Sequence, residues 1–132
     1  GLYIDKLKQL QTGLAPLGFT LIGVNGNIAK NDPKESFDSM KAFARANQLN
    51  FPYLWDSTQD VTRSFGATKT PMAFLIDKDG IIRYKGQIDS NPQQPASSEK
   101  AYLKNAITSL LKGEEILITE TEALGSSLVW RN

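Results

Sequence analysis

Cysteine and histidine are both absent from this sequence. Their absence excludes disulfides, thiol nucleophiles, the usual zinc-ligand sets and imidazole acid–base chemistry. Carboxylate, lysine, hydroxyl and backbone groups remain for any chemistry, and cysteine usage says nothing of compartment. A large excess of one charge is missing too. The net charge is +1, so nothing points to nucleic acid or an anionic membrane surface as a partner. The longest apolar runs, such as Met72 to Ile76, fall far short of a membrane span. No signal peptide opens the chain, because Leu2 to Leu17 interleaves charged and apolar residues at helical spacing, which favours a cytoplasmic setting. Internal repeats, low-complexity stretches and glycine-rich phosphate-binding fingerprints are not found either.

What is present describes an ordinary domain. With 132 residues, 40% hydrophobic and 22% charged, the chain is long enough and apolar enough to bury one core. Tyr3, Leu7, Leu10, Leu14 and Leu17 recur at spacings of four and three, which predicts a helix closed by Pro16-Leu17-Gly18. Asp5, Lys6, Lys8, Gln9 and Gln11 form its polar face. Phe19 to Val24 reads as a strand buried on both faces of a parallel sheet. Asp32-Pro33-Lys34-Glu35 starts a second helix, whose Phe37, Met40 and Phe43 are expected in the core and which Asn47 can stop.

Phe51 to Trp55 is a short strand that Pro52 confines to an edge. Ser57-Thr58-Gln59-Asp60 repeats the capping-box pattern before a two-turn helix ended by Gly66. A Thr70-Pro71 step then opens the strand Met72–Ile76. Proline opening an apolar strand turns the chain sharply, and X-Pro is the one bond where a cis peptide is cheap. Lys78-Asp79-Gly80 makes a tight turn into the strand Ile81–Lys85, and residues 87 to 96 read as a surface loop. Ser97 or Ser98 can cap a last helix carrying Leu103, Ala106, Ile107, Leu110 and Leu111, stopped at Gly113. Residues 1–113 are therefore the body of the domain and 114–132 its C-terminal tail, extended around Ile116–Ile118 and Leu128–Trp130.

The order α-β-α-β-α-β-β-α predicts an α/β fold: a central mixed sheet flanked by helices. Several segments carry a family resemblance. They are Ile22-Gly23-Val24-Asn25, Asn31-Asp32-Pro33, Phe51 to Asp56, Gly66 to Pro71, Phe74 to Gly80, Tyr84 to Asp89, and Gly125 to Trp130. In that order they resemble the thioredoxin-like superfamily, in particular the redoxin branch related to alkyl hydroperoxide reductase and thiol-specific antioxidant proteins. The resemblance implies a thiol-disulfide oxidoreductase or thiol peroxidase, whose reactive cysteine sits at the start of the first helix, against a cis-proline loop. A helix N-terminus lowers a thiol's pKa and so supplies the thiolate. By the same resemblance Lys69, Thr70 and Pro71 line the substrate or partner site, with the Thr70 backbone pairing with an incoming substrate. A protein thiol or disulfide, or a peroxide, is the implied partner; no cofactor is implied.

The sequence departs from that family at the chemistry. The strand and the C-x-x-C-type loop expected before Leu2 are not in it. Ser126 stands where relatives carry a cysteine in the tail, and Lys69 where some carry one before the threonine. The fold is accordingly expected to lack its first central strand, and the chain to be part of a longer protein. Two functions compete: a redoxin domain whose catalytic cysteines lie upstream of Gly1, and a redox-inactive domain that binds partners through the Thr70-Pro71 loop. Asp56, Asp77 and Asp89 are read as solvated loop acids rather than catalysts.

Overall fold

Helix α1 (Ile4–Leu14) forms where the leucine spacing places it, and a single 3-10 turn (Ala15–Leu17) carries the chain to Gly18. Gly18 holds a φ of 99°, which a glycine adopts without steric penalty. The remaining elements are β1 (Gly23–Asn25), α2 (Pro33–Ala46), β2 (Tyr53–Trp55), α3 (Asp60–Phe65), β3 (Lys69–Thr70), β4 (Ala73–Ile76), β5 (Ile82–Gly86), α4 (Tyr102–Leu111) and β6 (Ser126–Ser127). This computed structural model describes residues 4–27, 33–89 and 101–130, with residues 33–36 described by their backbone alone. The caps expected from Asp32 and from Ser97 or Ser98 lie outside the described residues, as does Tyr3. No described helix is long and apolar enough to cross a membrane.

The core lies between α1, α4 and the β4–β5 hairpin. Leu10, Leu75, Tyr84, Leu103, Ala106 and Ile107 are buried together, with Ile88 after β5 and Ile116 from the tail. Leu7, Leu14 and Phe19 pack against them. The polar face of α1 does more than meet solvent. Lys6 pairs with Asp89, whose side chain has no exposed surface. Gln11 Oε1 accepts the Leu21 N–H, and Lys8 Nζ donates to the Asn47 carbonyl at 2.8 Å. Three side chains of the polar face thus tether the helix to its surroundings. The expectation of a surface loop fails at its start, because Ile88 and Asp89 are both buried.

Strands do not assemble into one sheet. β1 and β2 form a parallel pair, β4 and β5 an antiparallel pair with a bulge between Leu75 and Ile76, and β3 and β6 a third ladder. β1–β2 and β4–β5 are not hydrogen-bonded to each other, as expected of a mixed sheet that lacks its first central strand. In the parallel pair, Gly23 N–H donates to the Pro52 carbonyl and the Asn25 carbonyl accepts from Asp56 N–H. The alternation of a parallel ladder then points the Val24 N–H and C=O away from β2. On β5, Lys85 N–H and C=O bond Thr119 and Thr121 of the tail, so Tyr84 and Gly86 are the residues that bond β4. Phe74, opposite Lys85, therefore faces its backbone away from β5. Among the described residues neither Val24 nor Phe74 has a partner on that outer edge.

The open edges account for a second correction. Phe19–Val24 was expected to be buried on both faces, yet only Gly23–Asn25 is strand, and Ile22 and Val24 are 53% and 46% exposed. Leu54, the register partner of Val24, is exposed with them, while α2 covers the other face through Phe43 on Tyr53. Phe37 is likewise exposed rather than core, with the Lys41 ammonium above its ring. Leu17 lies on the 3-10 turn, off the α-helical stripe, and is exposed.

Ile107 is 1% exposed at the centre of the α4 interface. Ile107→Ala is expected to lower unfolding free energy by about 2–5 kcal/mol, the usual cost of a core cavity. Urea denaturation at neutral pH measures it, and a loss near zero would show that α4 does not pack as described.

Candidate functional site

Thr70 and Pro71 are placed by the end of α3. Gly66 closes that helix at a φ of 74°, and its N–H returns to Arg63 and Thr62 carbonyls. The Ala67 N–H also bonds the Thr62 carbonyl, which turns the chain toward β3. Phe65 meets Phe74 with ring centroids 5.2 Å apart, so α3 and β4 are held together around the loop. The Thr70–Pro71 peptide bond is cis. Thr70 and Pro71 are exposed and Lys69 is half-buried.

The tail occupies the edge of this loop. Lys69 is opposite Ser127 and Thr70 opposite Ser126, in antiparallel register. Pro71 has no N–H, which leaves one hydrogen-bonding scheme for the Thr70–Ser126 pair: each residue donates its N–H to the other's carbonyl. Leu128 N–H donates to the Thr68 carbonyl at 3.1 Å, the next rung in the same alternation. The Thr70 backbone, expected to meet an incoming substrate, is thus already paired within the chain. Gly125 makes this approach possible, because a Cβ there would collide with the Thr70 carbonyl and the Pro71 nitrogen. Lys69 and Ser126 sit on adjacent rungs of the ladder.

Beyond the ladder the tail is held by a buried amide. Gln59 is fully buried, and its Nε2 donates at 2.8 Å both to the Gly26 carbonyl after β1 and to the Val129 carbonyl. Asn27 Oδ1 accepts the Val129 N–H, and the Arg63 guanidinium lies 4.6 Å from the centre of the Trp130 ring. Gly26 is itself pressed against Thr62, leaving no room for a side chain. Sequence reading placed Gln59 inside a capping box. Instead Gln59 is the N-cap residue with a φ of 65° and no side-chain cap, and its amide joins loop to tail. Asp56 serves the helix start in its place, Oδ2 accepting Thr62 N–H and Oγ1, each at 2.7 Å.

Asp56 is accordingly buried and paired, not solvated. Burial is the largest single influence on its carboxyl and pushes the pKa up. The Thr62 hydroxyl and the N–H groups of Thr62, Val61 and Asp60 together outweigh it and hold the group below the ordinary carboxylate value. At Asp77 the Ile81 N–H is the main influence, joined by Asp79 N–H and Arg83, and the carboxyl is again lowered. That carboxylate organises the turn before β5. Asp89 faces Lys6. None of these acids adjoins Thr70 in the ladder, and among the described residues no three acidic side chains gather to hold a metal. The loop therefore offers backbone pairing, hydroxyls and one ammonium, but no thiol.

Residues 2–85 match the AhpC/TSA family, well over half of the chain. The chain belongs to the AhpC/TSA family. Two solved structures resemble it over 98% of its length: a hypothetical protein from Sinorhizobium meliloti 1021, at 30% identity and a TM-score of 0.86, and an uncharacterized conserved protein from Geobacillus kaustophilus, at 29% and 0.87. The chain covers 72% and 69% of those two proteins respectively. The fold of this redoxin-family chain is thioredoxin-like α/β. A further resemblance, 28% identity over 105 residues, is to the protein adenylyltransferase and cysteine protease IbpA of Histophilus somni (strain 2336). The matched part is 80% of this chain but 3% of that protein's length.

The Asp56 pKa is depressed on folding, so its contribution to stability is present above the unfolded value of about 3.9 and is lost as pH falls through the folded value. The difference in unfolding free energy between the parent chain and Asp56→Asn should therefore stay constant from neutral pH to about pH 5 and shrink below about pH 4. Chemical denaturation at several pH values reads this directly. A difference that grows on acidification would reverse the assignment.

Proposed function

We propose that these 132 residues are the cysteine-free part of a thioredoxin-like redoxin domain that acts in thiol–disulfide exchange or peroxide reduction. The thiolate comes from a segment outside the 132 residues. The observation that carries this reading is the split sheet: Val24 on β1 and Phe74 on β4 each turn outward backbone that is unpaired among the described residues, and Ile22, Val24 and Leu54 are exposed. A central strand with its own apolar side chains fits such edges, since buried backbone groups left without partners cost on the order of 1–3 kcal/mol each. The two structural relatives are longer than this chain, which leaves room for such a segment.

In this reading a thiolate attacks a peroxide, forming an S–O bond as the O–O bond breaks. The departing oxygen takes up a proton and leaves as water or an alcohol. A second thiol then condenses with the sulfenic acid to give a disulfide and water, and an external thiol reductant regenerates the thiolate by exchange. Thr70, Pro71 and Lys69 line the partner side of the site. One observation favours a second reading, a redox-inactive domain that binds extended peptide. The Thr70 backbone already holds a strand, Ser126, by two hydrogen bonds.

The encoded residues immediately preceding Gly1, with peroxide- and disulfide-reduction assays of the full-length protein, decide between the two. A cysteine there, with activity that falls to background on its replacement by serine, is the expected result. No cysteine there, or full activity without it, would overturn the thiol reading and leave the binding one.

A further inference from the structure

The tail contacts of the Thr70 edge make a strand that is seated but lightly held. Ser126, Ser127 and Val129 are exposed, and Leu128 and Trp130 only half-buried. Ile116 and Ala123 are the buried anchors of the tail, and both precede the ladder. From Gly125 onward the attachment is main-chain pairing to Thr70 and Thr68, two hydrogen bonds at Val129 and the ring of Trp130 against Arg63. Segments with few buried apolar contacts and exposed hydrogen bonds open at free energies well below that of global unfolding.

We propose that residues 125–130 are an intramolecular latch on the Thr70 edge, and that the partner of this edge is an extended peptide segment that displaces them. This rests on the reading of the Thr70-Pro71 loop as a partner site. The seated tail defines what the edge accepts. The residue before the one facing Thr70 must be glycine, because a Cβ there meets the Thr70 carbonyl. The residue facing Thr70 lies at the surface, as does the next, and both are serine here. Two apolar residues follow, and then an aromatic ring for the Arg63 guanidinium. The partner segment is therefore extended, with a glycine, two small residues, two apolar residues and an aromatic in that order. Main-chain bonds supply the attachment and alternate side chains the selectivity, as in strand addition at a sheet edge.

Competition between tail and partner gives the latch its effect. If the tail leaves the edge free in about a tenth of molecules, releasing it raises the affinity for a partner segment about tenfold. Gly125→Ala releases it through the clash with Thr70. Ser126→Pro does so by removing the N–H that the Thr70 carbonyl accepts. Trp130→Ala weakens the far end without touching the backbone ladder.

The test uses the whole 132-residue chain and a fluorescently labelled synthetic peptide of the sequence of residues 124–130. Thr70 amide exchange is followed by NMR, with circular dichroism to check that each variant is folded. Gly125→Ala and Ser126→Pro are expected to speed Thr70 exchange and to bind the peptide about tenfold more tightly than the parent. Trp130→Ala should move both readouts in the same direction by less. Added peptide should slow Thr70 exchange again. Folded variants in which Thr70 stays as protected as in the parent, or parent and variants that bind the peptide equally at Thr68–Thr70, would overturn the latch and leave the loop as a partner site. Faster Thr70 exchange with no peptide bound at that edge would overturn the partner-site reading, and the latch with it.

Discussion

A carboxylate with no exposed surface has to be neutralised where it lies, and Asp89 sets that condition for the whole fold. It comes shortly after the end of β5. Lys6 answers from α1, more than eighty residues away in the chain. Meeting that demand brings α1 against the hairpin and α4. Leu10 then joins Leu75, Tyr84 and Ile107, and Gln11 can hold the segment that leads into β1. The hydrophobic contacts supply most of the favourable energy, but they would tolerate a range of helix positions. The ion pair, with the hydrogen bonds of Lys8 and Gln11, narrows that range.

Tyr84 makes a comparable connection for the tail. Its hydroxyl donates to the Gln87 carbonyl at 2.6 Å and lies 2.7 Å from the Thr121 hydroxyl, which also accepts the Gln87 N–H. Burial pushes the Tyr84 pKa up, so the phenol stays a neutral donor across the physiological range. With Lys85 bonded to Thr119 and Thr121, this fixes the path of the tail along β5. The segment reaches the Thr70 loop from a set direction, and the ladder there follows from that approach.

Local signals in the sequence carried the elements well. Leucine spacing marked α1, Pro33 opened α2, and Gly66, Gly80 and Gly113 stand at positive φ where turns or helix ends were expected. The same signals misjudged whatever depended on a distant partner. Ser57 to Asp60 has a capping pattern, but the carboxylate of Asp56 reaches the helix start first, which frees Gln59 for the interior. Ile22 and Val24 have the composition of a buried strand, and burial also requires a neighbour on the outer edge of β1. At the candidate site, Thr70 and Pro71 were legible from the Thr-Pro step ahead of an apolar strand. The seat of Ser126 opposite Thr70 was not, because a two-residue ladder leaves no periodicity to read. Glycine at 125, followed by two serines, was the one available signal.

The separation of β1–β2 from β4–β5 has a consequence for how the molecule holds together. The main core draws on α1, α4, the hairpin and the tail, whereas β1, β2 and α2 rest mainly on Met40 and on Phe43 against Tyr53. A lone two-stranded pair is marginal in water, so this half takes much of its order from the few groups that cross to the rest. Gln59 and Asn27 are such groups, and both bind Val129. Val129 thereby joins the β1–β2 half to the tail, and weakening its two contacts is expected to loosen that half before the main core.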